Sequence, residues 1–156
     1  MILKVYRMRE GARLPVRAHK TDAGIDLYYC PKGDRANNIQ EEGLAIHARE
    51  SVLIPTGIRV EIPYGYMLEI KNKSGIAFKR QLIVGACVVD SGYDGEIFVN
   101  LHNIGLGTQL LRAGEKVAQA IMIPIVHCKI EEVDTDQFLN FHSSRGKGGF
   151  GSTGEE

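Results

Sequence analysis

The sequence has no excess of either charge, no C-x-x-C pair and no long apolar run. Nineteen basic and nineteen acidic residues cancel, so the chain lacks the electrostatic footprint of a protein that coats nucleic acid or an anionic membrane. Three cysteines without metal-site spacing argue against a disulfide framework and against a thiolate zinc site. No apolar run approaches the length of a membrane span. We therefore expect a soluble cytoplasmic protein with no direct nucleic-acid partner and no membrane partner.

Short segments rich in β-branched and aromatic residues recur along the chain, with Gly, Pro, Asn and Asp between them. Their spacing of roughly 8–12 residues is typical of an all-β sandwich or barrel, and no long helical periodicity competes with it. The predicted strand segments are ILKVY, GIDLYY, SVLIPTGIRVEI, GYMLEI, LIVGACVV, GEIFVNLHN, TQLLRAGEKVAQAIMIPIV and CKIEEV. Since 156 residues with 44% apolar content suffice for one ordinary core, a single β domain is predicted.

The stretch KNKSGIAFKR, residues 71–80, is the one place where a short helix is predicted. Ser74 is a good N-cap residue, and the amides of Gly75 and Ile76 would then face outward at the positive end of the helix. With Lys73 beside them, these groups would form an anion site. The alternative interpretation is an ordinary capped turn with solvated lysines.

The stretch VVDSGYDGE, residues 88–96, places Asp90 at the end of an apolar run, residues 82–89, that we expect to be largely buried. A carboxylate held rigidly beside a tight turn can act as a general base, which typically contributes about 10²–10⁴-fold in rate. The alternative is that Asp90 only caps the turn and that Tyr93 is only a core aromatic residue.

Two further polar side chains interrupt apolar strands. Asp26 lies between Ile25 and Leu27, so it either faces solvent or is buried with a partner, and a buried carboxylate indicates a metal or water contact. Gln119 is the single uncharged polar residue in an apolar stretch, so it either ties down backbone or points into a site.

The chain closes with RGKGGFGSTG, residues 145–154, which contains G-x-G-x-x-G. A Rossmann or kinase phosphate loop needs a helix or a whole domain after it, and neither follows. We therefore predict a flexible glycine-rich arm, residues 144–156, attached to a β domain of residues 1–143. The polar stretch from Asp34 to Ala45 is predicted to be a protruding loop.

In chain order, AGIDL, KSGIA, ACVVDSGYDGEI, GEKVAQ and RGKGGFGSTG closely resemble the five motifs of the trimeric dUTP pyrophosphatase (dUTPase) family. The resemblance implies a jelly-roll-like β subunit and a homotrimer with three active sites between subunits. It also implies Mg²⁺-dependent hydrolysis of dUTP to dUMP and pyrophosphate by water attack at the α-phosphorus. That reaction limits uracil incorporation into DNA and supplies dUMP for thymidylate synthesis. The arm would close over a site formed largely by other subunits.

The resemblance also implies a role for each matching residue. Asp90 matches the carboxylate that contacts the deoxyribose 3′-hydroxyl and orients the attacking water, and Tyr93 matches the ring packed against the sugar. Asp26 matches the acid that supports the metal through water, and a hairpin around Val84 to Val89 would select the base. The other implied substrate contacts are Lys73, Ser74, Gly75 and Gln119 on the phosphates, Val84, Ala86 and Cys87 around uracil, and Arg145, Gly149, Phe150, Gly151, Ser152 and Thr153 in the arm, where Phe150 covers uracil.

Four positions depart from the family pattern, one of which is Asp22, where a small residue usually precedes Ala23. Lys73 replaces an arginine that is usual in the second motif, so a bidentate fork becomes a point charge. Gly92 stands where many members have a second aspartate, a change associated with some phage-type members, whose location would be the host cytoplasm. Cys87 lies where glycine is common. None of these changes removes a reacting group, so an active enzyme is expected.

Two alternatives share this fold. A dCTP deaminase needs a general acid/base at the exocyclic amine, and Glu96 lies in the vicinity of that position, but DSGYDGEI resembles the dUTPase pattern more closely. The second alternative is a regulatory module that binds a protein partner under nucleotide control. Its docking loop would be the stretch from Asp34 to Gly43, and such binding is compatible with catalysis.

Overall fold

The computed structural model describes residues 1–32 and 43–135, which are built mainly of β-strands. The elements are β1 (Lys4–Arg7), β2 (Ile25–Tyr28), β3 (Leu44–Ile46), β4 (Ser51–Pro55), β5 (Ile58–Glu61), β6 (Tyr66–Lys71), α1 (Ser74–Arg80), β7 (Leu82–Val84), β8 (Val88–Val89), β9 (Phe98–Asn103), β10 (Gln109–Leu111) and β11 (Lys116–Pro124). No helix within the two described ranges is long and apolar enough to cross a membrane.

The chain divides into two units, Met1–Val126 and His127–Glu156. All the strands belong to the first unit among the residues that the structure describes. The second unit is described only over residues 127–135, which are exposed. The predicted boundary between residues 143 and 144 lies outside the described residues and stays a prediction.

Two open sheets and two ribbons make up the first unit. One sheet has the order β2-β11-β6-β8 and the other has the order β4-β9-β7, while β1 pairs with β5 and β3 with β10. All these neighbours run antiparallel. The predicted all-β, jelly-roll-like sandwich is therefore confirmed. Its sheets stay open over the described residues and form no closed barrel.

Alternation along the strands decides which side chains form the core. In β9, Val99 and Leu101 are buried and the residues before each are only half-buried. In β5, Ile58 and Val60 are buried between exposed charged residues, as the two-residue period of a strand requires. The core that these faces build includes Leu27, Ile54, Leu68, Ile70, Leu82, Val99 and Leu101 from both sheets.

Three local predictions were wrong. The predicted loop up to Ala45 ends earlier, because Leu44–Ile46 forms β3 and pairs with β10. Ser74 is not the N-cap of α1, because the carbonyl of Lys73 accepts the first helical amides and Ser74 is the first residue inside the helix. Residues 128–133 form no strand. Those residues are exposed, and residues with high β-propensity are stabilised in a strand mainly when their side chains pack on a half-buried sheet.

The apolar run at residues 82–89, here called the crossing segment, is not largely buried as predicted, and its strands do not pair with each other as the hairpin implied around Val84 to Val89 would require. Its first strand, β7, pairs with β9 in one sheet, and its second strand, β8, pairs with β6 in the other. The run therefore crosses between sheets instead of folding back on itself. Leu82 is buried, but Gly85, Ala86 and Val88 are exposed. Where the chain passes from one sheet to the other, one side of its backbone is in contact with solvent.

A buried carboxylate, Glu96, ties the N-terminal part of the chain to the turn before β9. Its Oε1 accepts hydrogen bonds from Arg9 Nη2 at 2.6 Å and from the amide of Gly57 at 2.8 Å, and Lys32 Nζ lies 3.0 Å from Oε2. Burial raises the pKa of Glu96, but the hydrogen bonds from these three groups outweigh burial and hold the pKa below its usual value. Glu96 is therefore an ionised, fully partnered anchor.

Replacing Glu96 with Gln is expected to lower the free energy of unfolding at pH 7 by up to about 3–5 kcal/mol, because the partly buried Arg9 would lose its carboxylate partner and keep only its bonds to the carbonyls of Cys30 and Pro31. Folding lowers the pKa of Glu96, so its contribution is present above the ordinary value of 4.5 and is lost as the pH falls through the lower folded value. Urea unfolding at pH 7 and at pH 3 should therefore show a smaller acid-induced loss in Glu96→Gln than in the wild type.

The matched control is Glu61→Gln, which breaks an exposed ion pair with Lys4. Exposed pairs contribute little, so this variant is expected to unfold like the wild type at both pH values. Equal losses in the two variants would contradict the anchoring role of Glu96.

Candidate active site

A charged cluster, defined as Asp26, Lys73, Lys116 and Gln119, forms where β2, β11 and the end of β6 lie side by side. Asp26 in β2 is opposite Gln119 in β11, and Gln119 is opposite Lys71 at the end of β6. Lys73 pairs with Asp26 Oδ1, and Lys116 Nζ lies 2.6 Å from Asp26 Oδ2. The structure thus brings together three residues that the sequence analysis chose separately, namely Asp26, Lys73 and Gln119.

Asp26 carries its charge inside the protein, with only 3% of its surface exposed. Burial raises the pKa of its carboxyl, but the ammonium groups of Lys116 and Lys73 beside it outweigh burial and hold the pKa below its usual value. The carboxylate is therefore ionised at neutral pH. The Lys116 ammonium is close but poorly aligned, so Asp26 Oδ2 accepts no well-formed hydrogen bond and keeps acceptor capacity.

Gln119 is held in place from two sides. Its Nε2 donates to the carbonyl of Asn72 at 2.9 Å. A Cβ on Gly24 would lie closer than 3.0 Å to Gln119 Oε1, so this position needs glycine. Gln119 therefore ties down backbone, which is one of the two alternatives that the sequence left open.

The start of α1 lies next to Lys73 and is open to solvent. Nothing lies within 4 Å of the place where a Cβ of Gly75 would be, so the backbone there can be approached closely. The amide of Ile76 donates to the carbonyl of Lys73 at 3.0 Å. The prediction that the Ile76 amide faces outward was therefore wrong, because the first turn of the helix closes on that carbonyl.

The charged cluster suits an anion better than a bare cation, since two ammonium groups face one carboxylate. In the two described ranges, no group of three or more His, Cys, Asp or Glu side chains could hold a metal ion. A divalent ion would fit here only if substrate oxygens and water were its ligands, and Asp26 Oδ2 has an acceptor position free for a hydrogen bond from such a water.

The second candidate site is a cavity of about 230 Å³, here called the Asp90 cavity. Its wall includes Ala86, Val88, Asp90, Tyr93 and Asn100. The exposed carboxylate of Asp90 follows β8, and the carbonyl of Asp90 accepts the amide of Tyr93 at 3.1 Å, which closes the turn. An apolar wall, a carboxylate and an aromatic ring therefore meet in one concave site.

Tyr93 is not a core aromatic residue, since 45% of its surface is exposed. Its hydroxyl donates to the carbonyl of Glu96 at 2.8 Å, which fixes the ring at the edge of the Asp90 cavity. A larger cavity of about 480 Å³ lies on another side of Tyr93, between the β1-β5 ribbon and the turn at residues 91–94. Asp90 lines the smaller cavity, so the smaller one is the candidate for chemistry.

The charged cluster and Asp90 lie at opposite ends of β6. Val89 pairs with Leu68 near the start of the strand, and Asp90 follows beyond that pair. Lys71, beside the charged cluster, is the last residue of the strand. At about 3.3 Å per residue, Asp90 is roughly 13 Å along the strand from the level of Lys71. A single chain therefore does not bring Asp90 to its own charged cluster.

Several predicted contacts fall outside the residues that the structure describes. They are Arg145, Gly149, Phe150, Gly151, Ser152 and Thr153, together with residues 33–42 of the predicted docking loop. These assignments stay predictions.

The sequence analysis missed Lys116, Asn72 and Asn100. Lys116 reaches Asp26 because the register of β11 against β2 shifts between Lys116 and Ala118, and the motif GEKVAQ carries no signal for such a bulge. Asn72 and Asn100 act through side-chain hydrogen bonds to backbone. A polar residue beside a predicted site is the only sequence signal for that role.

Sequence comparison identifies relatives along nearly the whole chain. The dUTPase family model matches residues 10–154. The chain is 39% identical to a deoxyuridine 5′-triphosphate nucleotidohydrolase of Gloeothece citriformis, over 99% of this chain and 97% of the relative. It is 38% identical to a protein of the same name from Clostridium tetani, over 98% of this chain and 97% of the relative.

Solved structures with this fold include dUTPases of staphylococcal phages. A mutant dUTPase of Staphylococcus bacteriophage 80alpha with dUpNHpp superposes with a TM-score of 0.83, at 26% identity and with 98% of each chain covered. A mutant dUTPase from phage phi11 of S. aureus, described with the coordination of a structural Mg(II) ion, gives a TM-score of 0.74 at 25% identity over 86% of this chain and 97% of that chain.

The charge balance at Asp26 can be tested without any ligand. Replacing Lys116 with Met is expected to raise the pKa of Asp26, because burial still disfavours the carboxylate while one of its two ammonium partners is gone. The measurement is an NMR titration of the Asp26 carboxyl carbon. Lys71→Met removes a nearby ammonium that pairs with Glu69 instead, and it should leave the Asp26 titration unchanged. An Asp26 pKa that is the same in Lys116→Met as in the wild type would contradict the proposed pairing of Lys116 with Asp26.

Proposed function

The chain belongs to the dUTPase family, and we propose that it hydrolyses dUTP to dUMP and pyrophosphate by attack of water at the α-phosphorus. The observation that carries this proposal is the Asp90 cavity, where an exposed carboxylate stands beside an aromatic ring and an apolar wall. A deoxynucleotide has the matching parts, namely a flat base, a sugar and a phosphate chain.

In this proposal the nucleoside fills the Asp90 cavity. Uracil lies at the crossing segment, against Val84, Ala86 and Cys87, and the deoxyribose packs on Tyr93. The bond from the Tyr93 hydroxyl to the Glu96 carbonyl supports this, because a fixed ring leaves no room for a 2′-hydroxyl. Asp90 then contacts the 3′-hydroxyl and orients the attacking water as a general base.

The charged cluster is the proposed phosphate site. Lys73 and Lys116 keep 28% and 45% of their side-chain surface exposed, so both ammonium groups can be reached from solvent. Ser74 and Gly75 offer open backbone, and Gln119 stands beside them. In-line attack at phosphorus needs positioning and charge neutralisation more than covalent chemistry, and these groups can supply both.

Magnesium fits this site as an ion carried by the substrate. Phosphate oxygens and water would hold it, and Asp26 Oδ2 would accept a hydrogen bond from one of those waters. When bound, the ion neutralises charge on the triphosphate. In the arm, Arg145, Gly149, Gly151, Ser152 and Thr153 would contact the phosphates, while Phe150 covers uracil.

The active enzyme is proposed to be a homotrimer whose sites lie between subunits. The separation of roughly 13 Å between Asp90 and the level of Lys71 supports this, because one substrate must meet the carboxylate of one chain and the charged cluster of another. The distance follows from two pairings along β6: Val89 of β8 lies opposite Leu68, with Asp90 beyond it, and Gln119 of β11 lies opposite Lys71 at the end of the strand.

The deaminase alternative depends on Glu96, and the structure disfavours that role. Both carboxylate oxygens of Glu96 are engaged, and the lowered pKa makes it a poor acid. The regulatory alternative depends on the loop from Asp34 to Gly43. A regulatory protein partner at that loop and a cytoplasmic location both stay predictions.

Product analysis tests the reaction. Wild-type protein incubated with dUTP, dCTP, dTTP and UTP, with and without Mg²⁺, is expected to form dUMP and pyrophosphate from dUTP alone and only with Mg²⁺.

Asp90→Asn should lower kcat about 10²–10⁴-fold while dUTP still binds, because the shape of the side chain is kept and the general base is lost. Asp94→Asn, in the same turn, should turn over like the wild type. Consumption of dCTP, or full activity of Asp90→Asn, would refute this assignment.

Subunit mixing tests whether the site lies between chains. Asp90→Asn and Lys73→Met are each expected to be poorly active alone, because every site of either homotrimer lacks one group. Refolding the two together should recover activity, since some sites then combine an intact Asp90 with an intact Lys73 from another chain. Differently tagged subunits and native mass spectrometry would verify the mixed trimers. Mixed trimers as inactive as both parents would place the site within one chain.

A further inference from the structure

The crossing segment is held by two asparagines as it leaves β7. The amide of Val84 donates to Asn72 Oδ1 at 2.6 Å. The next two amides both go to Asn100, since Gly85 N donates to its carbonyl at 2.9 Å and Ala86 N donates to its Oδ1 at 3.1 Å. Three consecutive N–H groups therefore bind the protein itself, which holds the backbone of Val84, Gly85 and Ala86 in position.

The side-chain amide of Asn100 is itself held at both ends. His102 Nε2 lies 2.9 Å from its Oδ1, and its Nδ2 donates to Ser51 Oγ at 2.9 Å. A Cβ on Gly85 would lie closer than 3.0 Å to both His102 Nε2 and Asn100 Oδ1. The backbone at Gly85 is thus packed directly onto a pair of polar side chains that cannot turn away without breaking their own bonds.

This packing shapes one wall of the Asp90 cavity. Ala86 and Asn100 both line the cavity, together with Asp90 and Tyr93. Asp90 and Tyr93 are positioned separately, by their own turn and by the carbonyl of Glu96. The asparagines therefore control the wall without touching the groups that would carry the chemistry.

We propose that Asn100 and Asn72 are specificity-determining positioning residues, which hold the backbone at Val84–Ala86 so that the cavity admits uracil and rejects a base with a 5-methyl group. This inference rests on the proposed function. A wall that cannot yield excludes a methyl group, and an extra carbon in a pocket changes selectivity by about 10–200-fold. Without the bond from the Ala86 amide to the Asn100 side chain, the backbone at Val84–Ala86 can shift outward, and the cavity can accept the larger thymine base.

Asn72 also connects this wall to the charged cluster. Its own carbonyl accepts Gln119 Nε2 at 2.9 Å, while its side chain accepts Val84 N, and Lys73 follows it in the chain. A change at Asn72 would disturb both sites. Asn100 is therefore the sharper test, because its hydrogen bonds reach the crossing segment, His102, Ser51 and Val52 but no residue of the charged cluster.

The experiment compares kcat and KM for dUTP and dTTP in wild type and Asn100→Ala, together with the affinities for dUMP and dTMP by calorimetry. In Asn100→Ala, we expect the KM for dUTP to rise and the preference for dUTP over dTTP to fall at least about tenfold. The kcat for dUTP should stay within a few-fold of wild type, because the hydrogen bonds that position Asp90 and Tyr93 do not involve Asn100.

Asn103→Ala is the matched control on the same strand. Asn103 donates to the carbonyls of Ile46 and Gly107 and accepts the amide of Gly105, so it holds a different loop and does not line the Asp90 cavity. This variant should lose thermal stability and keep the wild-type preference. Asn100→Asp retains an acceptor for the Ala86 amide and should keep a preference closer to wild type than Asn100→Ala does.

An unchanged dUTP/dTTP preference in Asn100→Ala, with a stability loss like that of Asn103→Ala, would overturn the inference and leave Asn100 as a structural residue. If Asn100→Ala fails to fold, Asn100→Asp decides instead. This variant keeps an acceptor for the Ala86 amide, so a roughly tenfold loss of its preference for dUTP over dTTP would also contradict the inference. Wild-type protein that does not hydrolyse dUTP would overturn the proposed function instead, and the dUMP/dTMP affinity ratio would still decide the role of Asn100.

Discussion

The pairing of β11 with β2 on one side and with β6 on the other is the constraint on which the candidate site depends. One register places Gln119 opposite both Asp26 and Lys71. A slip by one residue would turn every side chain of β11 to the other face. The buried residues Ala118 and Ala120 would then leave the core. The apolar contacts that stabilise the sheet therefore also determine which residues meet in the charged cluster.

Hydrogen bonds determine the conformation of the turn at Asp90 and of the crossing segment, which apolar packing alone does not. Burial of apolar surface is roughly proportional to area and has no direction, so it leaves the turn at Asp90 and the crossing segment undetermined. Hydrogen bonds supply the direction at both places. The Tyr93 hydroxyl is fixed on the carbonyl of Glu96, whose carboxylate is fixed in turn by Arg9, and Asn100 fixes the opposite wall. The Asp90 cavity is thus shaped by hydrogen-bonded polar groups on an apolar framework.

The sequence sufficed to predict the fold class, most strands and three of the four residues of the charged cluster. Strand alternation and turn residues are local signals, and the motifs that contain Asp26, Lys73 and Gln119 are local too. The crossing segment was misjudged because an apolar run has the same composition whether its strands pair with each other or with two different sheets. Lys116 was missed because a bulge depends on the neighbouring strand. Hydrogen bonds between Asn100 and Ala86 depend on tertiary packing, which no local pattern specifies.

The two lysines on Asp26 suit the proposed phosphate contact of Lys73, at the position of the second motif where the resemblance leads us to expect arginine. A buried carboxylate that loses its only partner destabilises a protein by about 3–5 kcal/mol. Lys73 and Lys116 form ion pairs with different oxygens of Asp26, so Asp26 would keep one ion pair if Lys73 turned to a phosphate as proposed. A lysine is a mobile point charge, whereas an arginine fork binds a carboxylate through two parallel bonds and gives both up together. Sharing one carboxylate between two lysines would therefore let Lys73 make the proposed phosphate contact without leaving a buried charge alone.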